Sequence, residues 1–246
     1  MSKFSVILVA AGRSSRFQNP AVRKPLFLLR DKPIWWYSYE LFRSRADVSQ
    51  LIAVIASADV DEFRLQFSQF SAGRNVDIVY GGTERADSVA NGLARVNSNA
   101  DYVVIHDAAR PCIDANLIDR VFLAATKTGA AIPAIPVHST VKRSNDGLMV
   151  QATVDRTGLF LAQTPQVFRR DMIIELYANR DGYNATDESQ LAERQGIEVA
   201  LVDGSPLNLK ITTPQDLALA SACLDMLPPI RFDAPIDPLA EKTLRR

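Results

Sequence analysis

The sequence predicts a doubly wound α/β fold, a mostly parallel sheet with helices on both faces, and three observations carry that expectation. Short apolar runs of strand length alternate with helical patterns. The first run opens into a turn of small residues, Ala10-Ala11-Gly12. One polar hairpin, between His138 and Arg156, interrupts the alternation and predicts an arm that protrudes from the sheet.

In chain order, Phe4 to Val9, Leu51 to Ala56, Val76 to Tyr80, Tyr102 to Ile105 and Ala130 to Ile135 read as buried strands. Pro33 suits the first turn of a helix with Ile34, Tyr37 and Leu41 on one face, and Ala86, Val89, Leu93 and Val96 recur at helical spacing. Asp114 reads as the cap of a helix burying Leu117, Val121 and Ala125. Thr213-Pro214-Gln215-Asp216 reads as a cap, a proline at the first helical position and an acid in the first turn, leading into Leu217 to Leu224. Within the hairpin, Thr140 to Arg143 and Leu148 to Val154 flank the turn residues Ser144-Asn145-Asp146-Gly147. An isolated two-stranded hairpin is marginal in water, so this one is expected to rest on its own sheet as an ordinary surface hairpin or on a second subunit, a choice the residues alone leave with the first.

The 246 residues suffice for one large domain, taken as residues 1–227 with 138–156 as its arm, followed by a tail at 228–246 holding Pro228, Pro229, Pro235 and Pro238. Lys plus Arg and Asp plus Glu are equal at 28 each, which gives no bulk charge for nucleic acid or an anionic membrane. Cys112 and Cys223 form neither a disulfide framework nor a metal cluster, as suits a reducing cytosol. No apolar run approaches membrane-spanning length, and a cytoplasmic protein is the expectation.

In open α/β sheets ligands bind beyond the carboxyl ends of the strands. The first such end carries Ala10, Ala11, Gly12, Arg13, Ser14, Ser15 and Arg16, with Lys24 eight residues later. Small residues let backbone NH groups approach an anion, and the cations suit a triphosphate; a plain strand-to-helix turn with surface arginines is the alternative. The second end is Gly81-Gly82-Thr83-Glu84-Arg85-Ala86-Asp87-Ser88, where paired glycines admit a flat base or sugar, Ser88 is placed to read a base edge, and Thr83 reads as a helix cap. The third is His106-Asp107-Ala108-Ala109-Arg110-Pro111. Asp107 there is the metal candidate, because magnesium takes few protein carboxylates and fills its shell with water and phosphate oxygens; pairing with Arg110 or capping a helix is the alternative. His106 reads as a satisfied core histidine and His138 as a surface one, and zinc has no support. Asp155-Arg156, Gln163-Thr164-Pro165-Gln166, Thr186-Asp187-Glu188 and Lys210-Ile211-Thr212 add cations and hydroxyls suited to a phosphate, with Thr186 reading first as a helix cap.

Taken in order, Ala-Ala-Gly with Arg16 and Lys24, Gly81 to Ser88, His106 to Pro111, Val154-Asp155-Arg156-Thr157-Gly158-Leu159, Ala162 to Gln166, Thr186-Asp187-Glu188 and Lys210 to Leu217 resemble the 2-C-methyl-D-erythritol 4-phosphate cytidylyltransferase family over roughly residues 4 to 224. The resemblance implies a Rossmann-like nucleotidyltransferase fold and CTP-dependent chemistry in the non-mevalonate isoprenoid pathway. It implies that Gly12, Arg16 and Lys24 hold the CTP phosphates, with Arg16 and Lys24 stabilising the transition state. Gly81, Gly82, Arg85 and Ser88 would surround the cytidine, Asp107 would serve magnesium and substrate, and Arg110, Thr164, Thr186 and Lys210 would face the methylerythritol phosphate. In a homodimer, Thr140 and Arg156 would complete the partner's pocket. Two positions depart from the family pattern: Ser14 stands where a second glycine is usual, and Thr83 where an aspartate is frequent. A cytidylyltransferase for another alditol phosphate such as ribitol 5-phosphate, and a silent nucleotide-binding module, are the competing functions. Arg16, Lys24, Asp107 and Lys210 together argue against the silent module, which needs no cation aimed at an α-phosphate.

Overall fold

A computed structural model describes residues 2–12, 26–71 and 75–228. In chain order its elements are β1 (Phe4–Val9), β2 (Leu28–Leu29), β3 (Lys32–Pro33), α1 (Ile34–Arg43), β4 (Val48–Ile55), α2 (Val60–Phe70), β5 (Asp77–Tyr80), α3 (Arg85–Leu93) and β6 (Tyr102–Asp107). There follow α4 (Ala115–Thr128), β7 (Ala130–Pro136), β8 (Val141–Arg143), β9 (Ala152–Val154), β10 (Phe160–Ala162), β11 (Gln166–Arg169), α5 (Arg170–Ala178), α6 (Glu188–Arg194), β12 (Ala200–Asp203) and α7 (Gln215–Met226).

β1 is buried along its whole length because it pairs in parallel with β4 on one side and β6 on the other. A strand covered on both faces reads as a continuous apolar run, which is why it was legible. Side-chain alternation splits its residues between two layers. Val6 and Leu8 pack with Trp35, Phe42, Phe63, Leu117 and Val121 of α1, α2 and α4. Ile7 and Val9 pack with Val89, Leu93, Ile173, Leu176 and Leu191 of α3, α5 and α6. Helices therefore cover both faces. A third cluster joins α7 to the β2–β3 hairpin through Leu29, Ile34, Cys112, Ile211 and Ala220. In that hairpin's turn Arg30 adopts φ +59°, and its guanidinium reaches Ser221 and Asp225 of α7.

The sheet runs β10-β7-β11-β6-β1-β4-β5, with β12 also paired to β7. It is mostly parallel: among its described strands, β11 and β10 run against the rest. The sequence reading did not anticipate β2, β3, β10, β11 or β12. β11 is the consequential omission, for it lies between β6 and β7 and turns the Ala162–Gln166 loop back to the carboxyl end of β6.

Several caps differ from expectation. Asp114 caps α4 through Leu117 N as expected. At α3 the cap is Glu84 rather than Thr83, because Glu84 and Asp87 form a reciprocal capping box. At α6 it is Asp187 rather than Thr186, since the Asp187 carboxylate accepts from Gln190 N. α7 begins one residue late, with Pro214 at the cap position and the Asp216 carboxylate taking the NH groups of Thr212 and Thr213. Pro33 likewise precedes the first turn of α1, and Val96 is buried beyond the end of α3. The arm forms the separate β8–β9 pair, and its second strand is shorter than expected because Asp146 Oδ1 accepts from Leu148 N and Met149 N.

Gly129 ends α4 at φ +89°, where an added Cβ would also sit 3.3 Å from Met172 Cε. Gly129→Ala is expected to lower stability by about 1–2 kcal/mol, the cost of a left-handed non-glycine residue. Urea denaturation measures this, and the kinetic constants should not move, because Gly129 lies at the amino end of β7, away from the site described next.

Candidate active site

Three turns converge beyond the carboxyl ends of the parallel strands, each tied to a neighbouring strand by its first NH group: Ala10 N donates to Val54 O, Gly81 N to Ile55 O and Ala108 N to Val9 O. Ala10 and Ala11 are buried, and a Cβ on Gly12 would meet none of the described residues within 4 Å. At Gly81 the same atom would fall 2.3 Å from Ala11 Cβ, so the two turns touch only because Gly81 has no side chain. Gly82 is pressed equally close, 2.3 Å from Asp87 Cβ. The Ser88 hydroxyl is buried in this turn; it accepts from Gly82 N and donates to Glu84 O, so its proton is spent within the chain. Thr83 is exposed.

Asp107 closes β6 and is the hub of the site. Its Oδ2 accepts from Lys210 Nζ at 2.7 Å and its Oδ1 from Arg85 Nε at 3.3 Å. Neither partner is the Arg110 considered from sequence; Arg110 Nη1 donates instead to Asn208 O at 2.8 Å. Burial alone would raise the Asp107 pKa, but Arg85, Lys210 and Arg110 outweigh it and hold the carboxyl well below the usual range. Arg85 is in turn gripped by Glu188, which accepts from Nη1 at 2.7 Å and Nη2 at 3.1 Å and from Tyr177 Oη at 3.0 Å. Two carboxylates, Asp107 and Glu188, thus meet three cations, Arg85, Arg110 and Lys210, which leaves one positive charge in excess for an anion. Arg110 Nε is a buried donor with no hydrogen-bond partner among the described residues.

A second network fixes the backbone under Asp107. His106 is fully buried, with Nε2 3.2 Å from Arg110 O and 3.1 Å from Ser38 Oγ, and Nδ1 3.1 Å from Thr164 Oγ1. A carbonyl only accepts, so Nε2 carries the proton and Thr164 donates to Nδ1. The same Thr164 oxygen accepts from Asp107 N at 3.1 Å. Asn208 Nδ2 holds Thr164 O, and Gln163 bonds Ser205 and Asn208, which binds the Lys210 segment to the loop before β11.

Asp107, Arg85, Arg110, Thr164 and Lys210 therefore stand together. Thr186 is nearby in sequence to Glu188 and exposed, with its NH and hydroxyl turned to Gln190 Oε1. Thr140 and Arg156 stand apart on the exposed arm, where Arg156 donates to His138 O. Arg13, Ser14, Arg16 and Lys24 lie outside the described residues. Sequence reasoning gave no role to Glu188, Tyr177, Ser38 or Asn208. Glu188 had a signal, being a carboxylate directly after the Asp187 cap, whereas Ser38 sits in a helix read simply as an apolar face and Tyr177 in a segment given no reading. Among the described residues no three His, Cys, Asp or Glu side chains form a metal cluster. Asp107 offers a charged carboxylate, with a lone pair left on each oxygen beyond its present bond.

Comparison with known proteins gives the family and its fold. The family model for 2-C-methyl-D-erythritol 4-phosphate cytidylyltransferase matches residues 4–226. A relative of that description from Rhodopirellula baltica is 41% identical over 233 residues, covering 90% of this chain and 94% of its own. One from Clostridioides difficile is 38% identical over 225 residues, covering 91% and 94%. Among solved structures, the 2-C-methyl-D-erythritol 4-phosphate cytidylyltransferase of Thermus thermophilus has a TM-score of 0.73 at 30% identity, over 91% of this chain and 99% of that one. The 4-diphosphocytidyl-2C-methyl-D-erythritol synthase of Anaerococcus prevotii has a TM-score of 0.77 at 28% identity, over 91% and 96%.

Burial drives the His106 pKa down from 6.5 to about 4, against a smaller upward pull from Asp107. Between those values the unfolded chain binds this proton and the folded chain does not, so stability falls as the pH falls from 6.5 towards 4 and is unaffected by this group above 6.5. Thermal unfolding across that range should show a shallower decline in His106→Gln than in the wild type, from a lower starting Tm. Parallel declines would assign the slope to another group.

Proposed function

The chain belongs to the 2-C-methyl-D-erythritol 4-phosphate cytidylyltransferase family, and from that premise we propose how its residues divide the work of the reaction. The enzyme transfers the cytidylyl group of CTP to 2-C-methyl-D-erythritol 4-phosphate, giving 4-diphosphocytidyl-2-C-methyl-D-erythritol and pyrophosphate in isoprenoid biosynthesis. The observation that carries the assignment of roles is the Asp107 cluster, which joins Arg85 from the nucleotide turn to Lys210 from the opposite wall.

On the nucleotide side, the main chain of Ala10, Ala11 and Gly12 with Arg13 and Ser14 cradles the triphosphate. Gly81, Gly82, Thr83, Arg85 and Ser88 form the cytidine wall, Arg85 and Ser88 by shaping it. On the acceptor side, Arg110, Thr186 and Lys210 hold the alditol phosphate, and Thr164, its hydroxyl spent on His106 and Asp107 N, shapes the pocket by fixing the backbone under Asp107. The unpartnered Arg110 Nε and the surplus positive charge support that placement. A phosphate dianion is already nucleophilic at neutral pH, so no general base is needed. An acceptor phosphate oxygen bonds to the α-phosphorus as the bond from that phosphorus to the bridging oxygen of pyrophosphate breaks. Arg16 and Lys24 stabilise the charge that grows on the α- and β-phosphate oxygens. Magnesium would be held by Asp107 together with the triphosphate and would supply further neutralisation of that charge.

The enzyme acts as a homodimer in this reading, one domain at 1–227 with the tail beyond, in which Thr140 and Arg156 enter the partner's acceptor pocket. Leu148, Met149 and Val150 at the arm tip are 86%, 73% and 65% exposed, and the edge strand β10 leaves Phe160 and Leu161 uncovered. Such an apolar surface suits a second copy of the chain. Two free cysteines suit a protein of the reducing cytoplasm. No helix among the described residues is long and apolar enough to cross a membrane.

Lys24→Ala should lower kcat by roughly 10²-fold or more, as loss of one preorganised charge-stabilising donor does. Gly12→Ala, whose new methyl meets none of the described residues within 4 Å, should instead raise the KM for CTP and leave the Tm unchanged. A panel of nucleotides and alditol phosphates checks both substrates. The shared pocket has its own test. Arg156→Ala and Lys210→Ala homodimers, each nearly inactive, should recover activity when mixed and allowed to exchange subunits, whereas a protein that light scattering shows to be monomeric would recover none.

A further inference from the structure

Between α5 and α6 the chain crosses from Asn179 to Asp187 over the first turn of α3. Asp181 and Gly182 take φ +48° and +72° there, so the segment doubles back on itself. Two of its side chains, and Glu188 just beyond it, fasten it to the start of α3. Arg180 Nη2 donates to Asp87 Oδ1, Asn184 Nδ2 donates to Glu84 Oε2 at 3.1 Å, and Glu188 grips Arg85. Asp87 is thereby double-ended: Oδ2 accepts from Glu84 N in the capping box while Oδ1 takes Arg180. Thr186 lies inside this clasp.

We propose that Arg180 and Asn184 are positioning residues that fasten the Thr186 segment to the nucleotide turn, so that the acceptor site takes its shape from the nucleotide site. This rests on the reading in which Thr186 faces the alditol phosphate. The dependence runs in one direction. The nucleotide turn is held without the clasp by the capping box, by Ser88 and by the bond from Gly81 N to Ile55 O. Among the described residues the Thr186 segment has no further polar tie to that turn; Tyr183 and Ala185 rest on the core beneath it, with the Arg194 guanidinium over the Tyr183 ring. The segment is also secured by Asp187 and Gln190 on the α6 side and by a local turn in which Tyr183 N bonds Arg180 O. Loss of the clasp therefore displaces Thr186 and spares Gly81 to Ser88.

Full-length Arg180→Ala, Asn184→Ala and the double variant test this by steady-state kinetics beside Thr186→Val. Arg180→Ala is expected to raise the KM for 2-C-methyl-D-erythritol 4-phosphate about fivefold, the factor equivalent to one partly exposed ion pair. The double variant should raise it further, with kcat, the KM for CTP and the Tm near wild type, and Arg180→Lys should restore much of the loss. An unchanged acceptor KM in the double variant, while Thr186→Val raises it, overturns the clasp and leaves the Thr186 assignment standing. Equal rises in both KM values with a fallen Tm overturn it in favour of a structural role. No effect of Thr186→Val removes the assignment of Thr186 and the proposal with it.

Discussion

The site depends on keeping one buried carboxylate charged. Asp107 sits at the end of a central strand, where burial by itself raises its pKa, and Arg85, Lys210 and Arg110 outweigh that and hold it well below the usual range. Buried ion pairs add little net stability because desolvation offsets attraction. Their arrangement here is better understood through function. Arg85 belongs to the Gly81–Ser88 turn and Lys210 to the segment after β12, so one carboxylate fixes the mutual placement of two walls, while Arg110, in Asp107's own loop, adds its charge without bonding it. Glu188 extends the arrangement by gripping Arg85 from behind.

A neutral network complements the charged one. His106, Ser38 and Thr164 use their hydrogen-bonding groups on one another and on the backbone of Asp107 and Arg110. This frees the Asp107 carboxylate from any part in holding its own loop. Polar networks that are fully satisfied rigidify their surroundings, and rigidity is what a reaction driven by positioning and charge requires.

How much of this was legible in the sequence followed burial and locality. β1, β6 and α4 could be read because their signals are local: an apolar run covered on both faces, or an Asp114 cap followed by helical spacing. β11 was not legible. Its four residues, Gln166 to Arg169, lie between polar neighbours and become a strand only because β6 and β7 offer hydrogen-bonding edges on both sides. The caps failed at Thr83 and Thr186 for a related reason: a carboxylate one residue later satisfied the helix end better in each case. Asp107, Arg85, Thr164 and Lys210 could be named individually, but Glu188 could not be given its task, since its partner lies 103 residues away.

The latch between Arg30 and α7 has a consequence for how the protein folds. A left-handed conformation disfavours an arginine by about 1–2 kcal/mol, and the contacts to Ser221 and Asp225 hold it there. Those partners belong to α7, which also covers Leu29, Ile34 and Cys112. Arg30 and Ser221 are 191 positions apart in the chain, so the β2–β3 hairpin gains its apolar cover and its ionic tie only when the rest of the fold has met the entropic cost of closing that long loop.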